Sequence, residues 1–381
     1  MKHSSIHSKK IGLLGGGQLG RMIIQDAISY NLDIHVLDND EKAPCSTIAT
    51  TFRHGNLNDY DTVVDFGMDK DIITVEIENV NVDALEYLES LGKEVYPQPR
   101  VLRIIKDKGL QKQFYIDNNL PTSSFEFIDN KQTLARFVDQ LPAVNKLRTG
   151  GYDGKGVQII QNASEIDKAF DEPSILEQFV PFTKELSVIV ARNKNKEIIS
   201  YPAVECEFSK SLNLVEFLFA PATISNEVET KAQAIAKEVI EKLDMVGLLA
   251  VEFFLLENGE LLINEIAPRP HNSGHHTIEC NYTSQFEQHL RSILNMPLGS
   301  TDIILPGVMI NLLGADGHQG EAYYDGLDEA VGTKGVYFHL YGKKYTKPHR
   351  KMGHITVALQ DLDAAKSIAR KLLQNIKVIS K

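Results

Sequence analysis

Leu248-Leu249-Ala250-Val251-Glu252-Phe253-Phe254-Leu255-Leu256-Glu257-Asn258-Gly259-Glu260-Leu261-Leu262-Ile263-Asn264-Glu265 decides how the chain is read. Two apolar runs flank Asn258-Gly259, a dipeptide that favours a two-residue reversal between antiparallel strands. With that loop Glu257 faces Glu260, and counting outward sets Glu252 opposite Glu265. Side chains alternate between faces, so Glu252 shares its face with Ala250 and Phe254, and Glu265 shares its own with Ile263 and Leu261. Like charges about 5 Å apart on a mostly apolar face destabilise a sheet, unless a cation lies between them or one carboxyl keeps its proton. Oxygen ligands suit Mg2+, which one or two carboxylates hold together with substrate phosphates. The pair therefore predicts a magnesium-nucleotide site.

Two glycine loops support a phosphate-bearing ligand. Gly15-Gly16-Gly17-Gln18-Leu19-Gly20 follows an apolar run and precedes an amphipathic stretch, the setting in which backbone amides and a helix N-terminus approach an anion. Asp38 lies about 20 residues on, where a dinucleotide-binding acid would stand, so this loop alone also fits a nicotinamide enzyme. In Arg148-Thr149-Gly150-Gly151-Tyr152-Asp153-Gly154-Lys155-Gly156 only three residues separate Gly150 from Gly154, and Gly156 follows the lysine. That spacing is not a Walker A loop. It suggests a hairpin cover whose amides and Lys155 close over phosphates. Beyond Glu265 come Arg269, His271, Asn272, His275 and His276, donors for anions near a reacting centre. His271 and His275 are four apart, but the prolines and glycine among them oppose the helix that a zinc pair needs.

The 381 residues are 43% hydrophobic and 24% charged, the composition of a folded globular chain of two or three domains at about 100 to 200 residues each. A formal charge of -11 opposes nucleic acid and anionic membranes as partners. Cys45, Cys206 and Cys280 form no C-x-x-C pair, which fits a reducing cytoplasm. No run of about 18 uncharged apolar residues exists, so no membrane span is expected.

Residues 1–100 alternate short apolar runs with amphipathic stretches, the pattern of a parallel α/β sheet, and Tyr96-Pro97-Gln98-Pro99 interrupts it. Residues 101–296 mix helices and mostly antiparallel strands in an α+β pattern, with one helix expected over Val101 to Asn118. Residues 297–381 read as a small β-rich domain closed by a helix at Leu362 to Leu373.

Five motifs in order, GGGQLGRM from Gly15, VEIENV at Val75 to Val80, RTGGYDGKG from Arg148, NEIAPRPHNSGHHT from Asn264 and HRKMGH from His349, resemble the N5-carboxyaminoimidazole ribonucleotide synthetases, ATP-grasp ligases of purine biosynthesis. The likeness spans essentially the whole chain. It implies an N-terminal Rossmann-like domain, a central ATP-grasp domain and a small C-terminal domain, assembled as a homodimer. It also implies that ATP and bicarbonate form carboxyphosphate, which carboxylates the exocyclic amine of 5-aminoimidazole ribonucleotide. By resemblance, ATP is bound by Lys108, Lys146, Gly151, Gly154, Lys155, Gly156, Glu177, Phe179, Val180, Glu185, Asn264 and Glu265. Glu252 and Glu265 hold Mg2+, or Mn2+ in its stead. Tyr152, Arg269, His271 and Asn272 surround bicarbonate and the reacting amine. Gln18, Leu19, Glu76, Asp153, Lys155, Arg350 and Lys351 surround the ribonucleotide, with Glu78 competing with Glu76 for the ribose and the first glycine loop anchoring the 5'-phosphate. Where many members have Glu-Asn-x-His, this chain has Glu205-Cys206-Glu207-Phe208, which removes a polar contact near the nucleotide. The remaining alternatives are another ATP-grasp carboxylate-amine ligase, an NAD-dependent dehydrogenase and a noncatalytic binding protein.

Overall fold

The structure, a computed structural model, describes residues 8–151, 156–208 and 215–381. Its first sheet is wholly parallel, in the order Thr51–His54, Ile34–Asp38, Ile11–Leu14, Ile72–Val75, Glu94–Tyr96. The strand order reverses between Ile11–Leu14 and Ile72–Val75, and ligands of open α/β sheets bind in such crevices. Gly15 to Gly17 and Glu76 emerge there. The helix Gln18–Ser29 buries Leu19, Met22, Ile23 and Ala27, and shares its apolar cluster with Phe286, Leu290 and Ile293 of the helix Gln285–Ile293. That packing fixes the first sheet against the central part of the molecule.

The largest sheet runs in the order Leu261–Ala267, Gly247–Leu256, Phe182–Arg192, Val204–Phe208, Val215–Ala220, Gly307–Leu313, Lys351–Ala358, Val336–Leu340. The C-terminal strands thus extend the central sheet through the pairing of Val215–Ala220 with Gly307–Leu313. A four-stranded sheet, Phe125–Ile128, Ser174–Gln178, Ala143–Leu147, Val157–Ile160, faces the hairpin end of the large one. The residues between Pro99 and Asn118 form two helices, Pro99–Lys106 and Lys108–Asp117, where one was expected. Asp107 breaks them. Its backbone is extended, and its carboxylate accepts the amides of Gly109 and Leu110 at 2.8 and 3.2 Å, satisfying donors that a helix start leaves unpaired.

The central hairpin pairs Glu252 with Glu265, as counted, but by a different route. The reversal takes three residues, Glu257 to Gly259, with Gly259 at φ +82° and the Leu256 amide donating to Glu260 at 2.9 Å. Leu255 therefore meets Leu261 and Phe253 meets Ile263, one step out of the expected register. A β-bulge at Asn264 then restores the count. Two one-residue departures cancel. Consequently Ile263 and Leu261 do not share the face of Glu265. They pack with Phe253 and Leu255 in the core, while Asn264 turns toward Lys146 of the four-stranded sheet and Glu265 toward Lys108 at the start of its helix.

Asp107 also accepts both Nε and an Nη of Arg148, at 2.9 and 2.5 Å, at the base of the second glycine loop, and the guanidinium lies 5.2 Å from the Phe127 ring centre. Losing a cap together with a paired charge, Asp107→Ala should cost about 1–3 kcal/mol in denaturant unfolding and weaken nucleotide binding by loosening the helix start that carries Lys108. Unchanged unfolding midpoints would remove this role.

Candidate active site

Three elements bring charge to one cleft. From the hairpin come Glu252, Asn264 and Glu265. On the neighbouring strand Ser187 lies opposite Glu252 and Glu185 opposite Phe254, with Cys206 opposite Glu185 one strand further on. The expected apolar face is therefore acidic and polar at its centre. From the start of the helix Lys108–Asp117, Lys108 Nζ donates to Glu265 Oε2 at 2.6 Å. From the four-stranded sheet, Lys146 Nζ donates to Asn264 Oδ1 at 2.9 Å and to Glu177 Oε2 at 3.2 Å.

The carboxylates respond differently to this company. Lys108 holds Glu265 well below the usual carboxylate range, assisted by Lys146 and His271. Burial, with repulsion from Glu265 and Glu185, pushes Glu252 up to about 8. Burial likewise raises Glu185 to about 7. One member of the hairpin pair is thus ionised against a lysine and its neighbour favours the proton, the response of carboxylates crowded on one buried face. Among the described residues no three His, Cys, Asp or Glu side chains converge to hold a metal by themselves. A divalent ion here fits two carboxylates completed by phosphate oxygens, the habit of Mg2+.

His271 Nε2 lies 3.5 Å from Glu252 Oε1. Its Nδ1 accepts the Ser273 amide at 3.3 Å, and Ser273 Oγ is 2.8 Å from Ser187 Oγ. The Nδ1 also lies 2.9 Å from Ser273 Oγ, so both contacts hold the ring with Nε2 toward Glu252. Asn272 follows it in a single 3-10 turn. Arg269 Nε is 2.8 Å from Glu78 Oε1 and its charge favours ionised Glu76.

Glu76 and Glu78 do not share a strand face. The strand stops at Val75, and the two residues diverge in the bend beyond it. Glu76 is buried with its carboxylate on the first glycine loop, accepting the Gly20 amide at 3.3 Å. A Cβ at Gly15 would come within 2.6 Å of Glu76 Cγ, so the glycine at φ +97° is what admits that side chain. Asp38 takes the Gly16 amide at 2.6 Å. Carboxylates thus already occupy amides of the loop expected to bind phosphate.

Cations gather slightly farther out. Lys343 Nζ donates to Gln18 Oε1 at 2.9 Å and to the Lys351 carbonyl at 2.7 Å. Lys351 is near enough to favour ionised Glu252. Arg350 donates to the Tyr345 carbonyl at 2.6 Å. The Leu19 side chain is buried in the core, leaving only its backbone to face the crevice. Val180 is buried and Phe179 exposed at the end of the Ser174–Gln178 strand. Gly151 and Gly156 meet at the loop base, where a Gly156 Cβ would lie 3.1 Å from Gly151 Cα. Tyr152, Asp153, Gly154 and Lys155 lie outside the described residues. Lys343 was not singled out in the sequence, although it stands seven residues before Arg350. Lys112, one helical turn beyond Lys108, also escaped notice.

Family models match residues 8–106 as a ribonucleotide synthetase preATP-grasp domain, 113–286 as an ATP-grasp domain, and 307–368 as a phosphoribosylaminoimidazole carboxylase C-terminal domain. The N5-carboxyaminoimidazole ribonucleotide synthase of Bacillus subtilis is 38% identical over 93% of this chain and 92% of its own. The chain belongs to this family. It is an ATP-grasp carbon-nitrogen ligase of purine biosynthesis. The N5-carboxyaminoimidazole ribonucleotide synthetase structure from Thermotoga maritima superposes with a TM-score of 0.91 at 40% identity, covering 98% of this chain and 100% of that one. The Aspergillus clavatus enzyme, in complex with ADP and 5-aminoimidazole ribonucleotide, gives 0.89 at 32% identity, covering 97% and 99%. The phosphoribosylaminoimidazole carboxylase of Ogataea methanolica, 39% identical over 93% of this chain, is longer, and the chain spans 67% of it. Family membership replaces the dehydrogenase alternative, and Asp38 serves the glycine loop instead of a dinucleotide. No helix among the described residues is long and apolar enough to cross a membrane.

A carboxyl whose folded pKa is raised loses stability as pH climbs from the ordinary carboxylate range toward that raised value, because the unfolded chain releases the proton first. Glu252→Gln removes this loss. By calorimetry the empty variant should melt above the parent at about pH 8.5 and level with it at about pH 5, while magnesium-dependent nucleotide binding disappears. Equal melting at both pH values would refute the charge conflict.

Proposed function

We propose that the chain carboxylates the exocyclic amine of 5-aminoimidazole ribonucleotide, using ATP to activate bicarbonate as carboxyphosphate. The carrying observation is a series of polar and charged groups across the cleft. It runs from the lysines beside Glu177 and Glu265, through Glu252 and His271, to Arg269, Glu78 and Glu76 at the first glycine loop. The nucleotide and the ribonucleotide belong at its two ends, and bicarbonate between them.

Bicarbonate is a poor electrophile, and a phosphoryl group supplies it with a leaving group. In the first step a bicarbonate oxygen attacks the γ-phosphorus and ADP leaves. In the second the ribonucleotide amine attacks the carboxyl carbon, phosphate departs, and the amine loses a proton. Lys108 and Lys146 suit the phosphates of ATP, and positioning with charge stabilisation carries most phosphoryl-transfer catalysis. Glu252 and Glu265 would hold Mg2+, which when bound neutralises phosphate charge. Arg269 suits the anionic carboxyl group. His271, with Nε2 directed at Glu252, suits the space between the metal carboxylates and the reacting amine. Gln18, Lys343 and Lys351 suit the 5'-phosphate, with the glycine loop holding Glu76 toward the ribose. The acyl phosphate hydrolyses easily, so the loop from Gly150 to Gly156 would serve by excluding water.

Phosphate release should require bicarbonate and rise with 5-aminoimidazole ribonucleotide, with one carboxylated product formed per ATP. Glu265→Gln should abolish the magnesium-dependent rate without unfolding the protein. ATP hydrolysis indifferent to both co-substrates, or normal turnover in the variant, would contradict the assignment.

A further inference from the structure

Glu177 is only 4% exposed, yet its neighbours hold it ionised. Burial opposes that charge, and Lys146, Lys112 and Lys108 together outweigh it. An ion left uncompensated in such a place is strongly disfavoured, so Glu177 needs at least one counter-ion in every state of the enzyme. Two of the three have a second allegiance in the cleft: Lys146 to Asn264 and Lys108 to Glu265.

Lys112 differs. It is 2% exposed and anchored from behind, with Nζ donating to Thr122 Oγ1 at 2.7 Å and Ser123 Oγ at 2.8 Å. The Phe125 ring centre is 5.9 Å away, and Glu177 Oε2 lies at 3.6 Å. Ser123 Oγ donates in turn to Glu177 at 3.2 Å. Thr122 Oγ1 donates at 2.8 Å to the carbonyl of Ile263, the residue before the bulge. This ammonium is tied to the wall that supports the hairpin.

We propose that Lys112 is a positioning residue: it keeps Glu177 neutralised when Lys108 and Lys146 turn to the phosphates of a bound magnesium nucleotide, and so sets nucleotide affinity without touching the nucleotide. The inference rests on the nucleotide reading of the cleft. In the empty enzyme Glu177 has Lys146 at hand, and Lys112 is one cation among three. Once phosphates draw the other two away, Lys112 is the counter-ion that remains. Its importance therefore grows on binding, unlike that of a side chain that merely fills space.

The test is a double-mutant cycle on MgADP binding, read by titration calorimetry, with Lys112→Met, Glu177→Gln and the double variant. Lys112→Met should weaken MgADP about tenfold, or about 1.4 kcal/mol, and raise KM for ATP far more than it lowers kcat. The same substitution in Glu177→Gln, where no buried carboxylate needs a counter-ion, should change affinity less than about twofold. The empty Lys112→Met protein should melt close to the parent. Lys112→Gln, which keeps a donor for Thr122 and Ser123 but no charge, gives the same comparison should the methionine variant be insoluble. Equal losses in both backgrounds, or a lower melting temperature with unchanged MgADP affinity, would overturn the inference. MgADP binding with the expected coupling but without ribonucleotide carboxylation would overturn the reaction proposed above and leave this inference standing. A parent that binds no MgADP would overturn both.

Discussion

Like charges forced together across a hairpin are the constraint on which the rest of the site depends. Glu252 and Glu265 are paired by backbone register, so neither can retreat without breaking the edge of the large sheet. Lys108 answers one carboxylate and leaves the other crowded by Glu265 and Glu185. The site is thus arranged for a further positive charge. Lysines fill part of that need, and a metal nucleotide would redistribute it: cation to the carboxylates, lysines to the phosphates. The same logic extends to Glu177, whose burial makes every exchange of partners energetically visible.

Much of the surrounding structure keeps this arrangement in place. The bulge at Asn264 turns two consecutive side chains to one face, which a regular strand cannot do. Asp107 stops one helix, caps the next and clasps Arg148, thereby locating Lys108 and the base of the glycine loop with one carboxylate. Across the cleft, Arg269 and Glu78 tie the segment after the hairpin to the end of the first sheet. Apolar packing between Gln18–Ser29 and Gln285–Ile293 holds the two halves at working distance.

The sequence carried the α/β start, the mixed α+β centre and the two acids of the hairpin, because periodicity and turn residues encode them locally. The pairing of Glu252 with Glu265 emerged from a two-residue loop that does not exist, corrected by a bulge that was not foreseen. Loop length and bulge depend on packing of Phe253 and Ile263, which alternation alone does not reveal. Asp107 was read as helix interior, though Asp before a lysine and glycine is a reasonable cap. Glu76 and Glu78 looked equivalent because residues two apart share a face of a strand, but the strand ends at Val75. Lys112 was invisible for another reason: a lysine at helical spacing ordinarily marks a solvated face, and only the fold buries this one beside Glu177.

The central claim is an exchange of charge partners, and a crystal structure of the protein with MgADP tests it most directly. The account predicts a metal within about 2.1 Å of oxygens of both Glu252 and Glu265, Lys108 moved from Glu265 to a phosphate, and Lys112 still beside Glu177. A nucleotide bound with Lys108 still on Glu265 and the metal away from the hairpin carboxylates would contradict it.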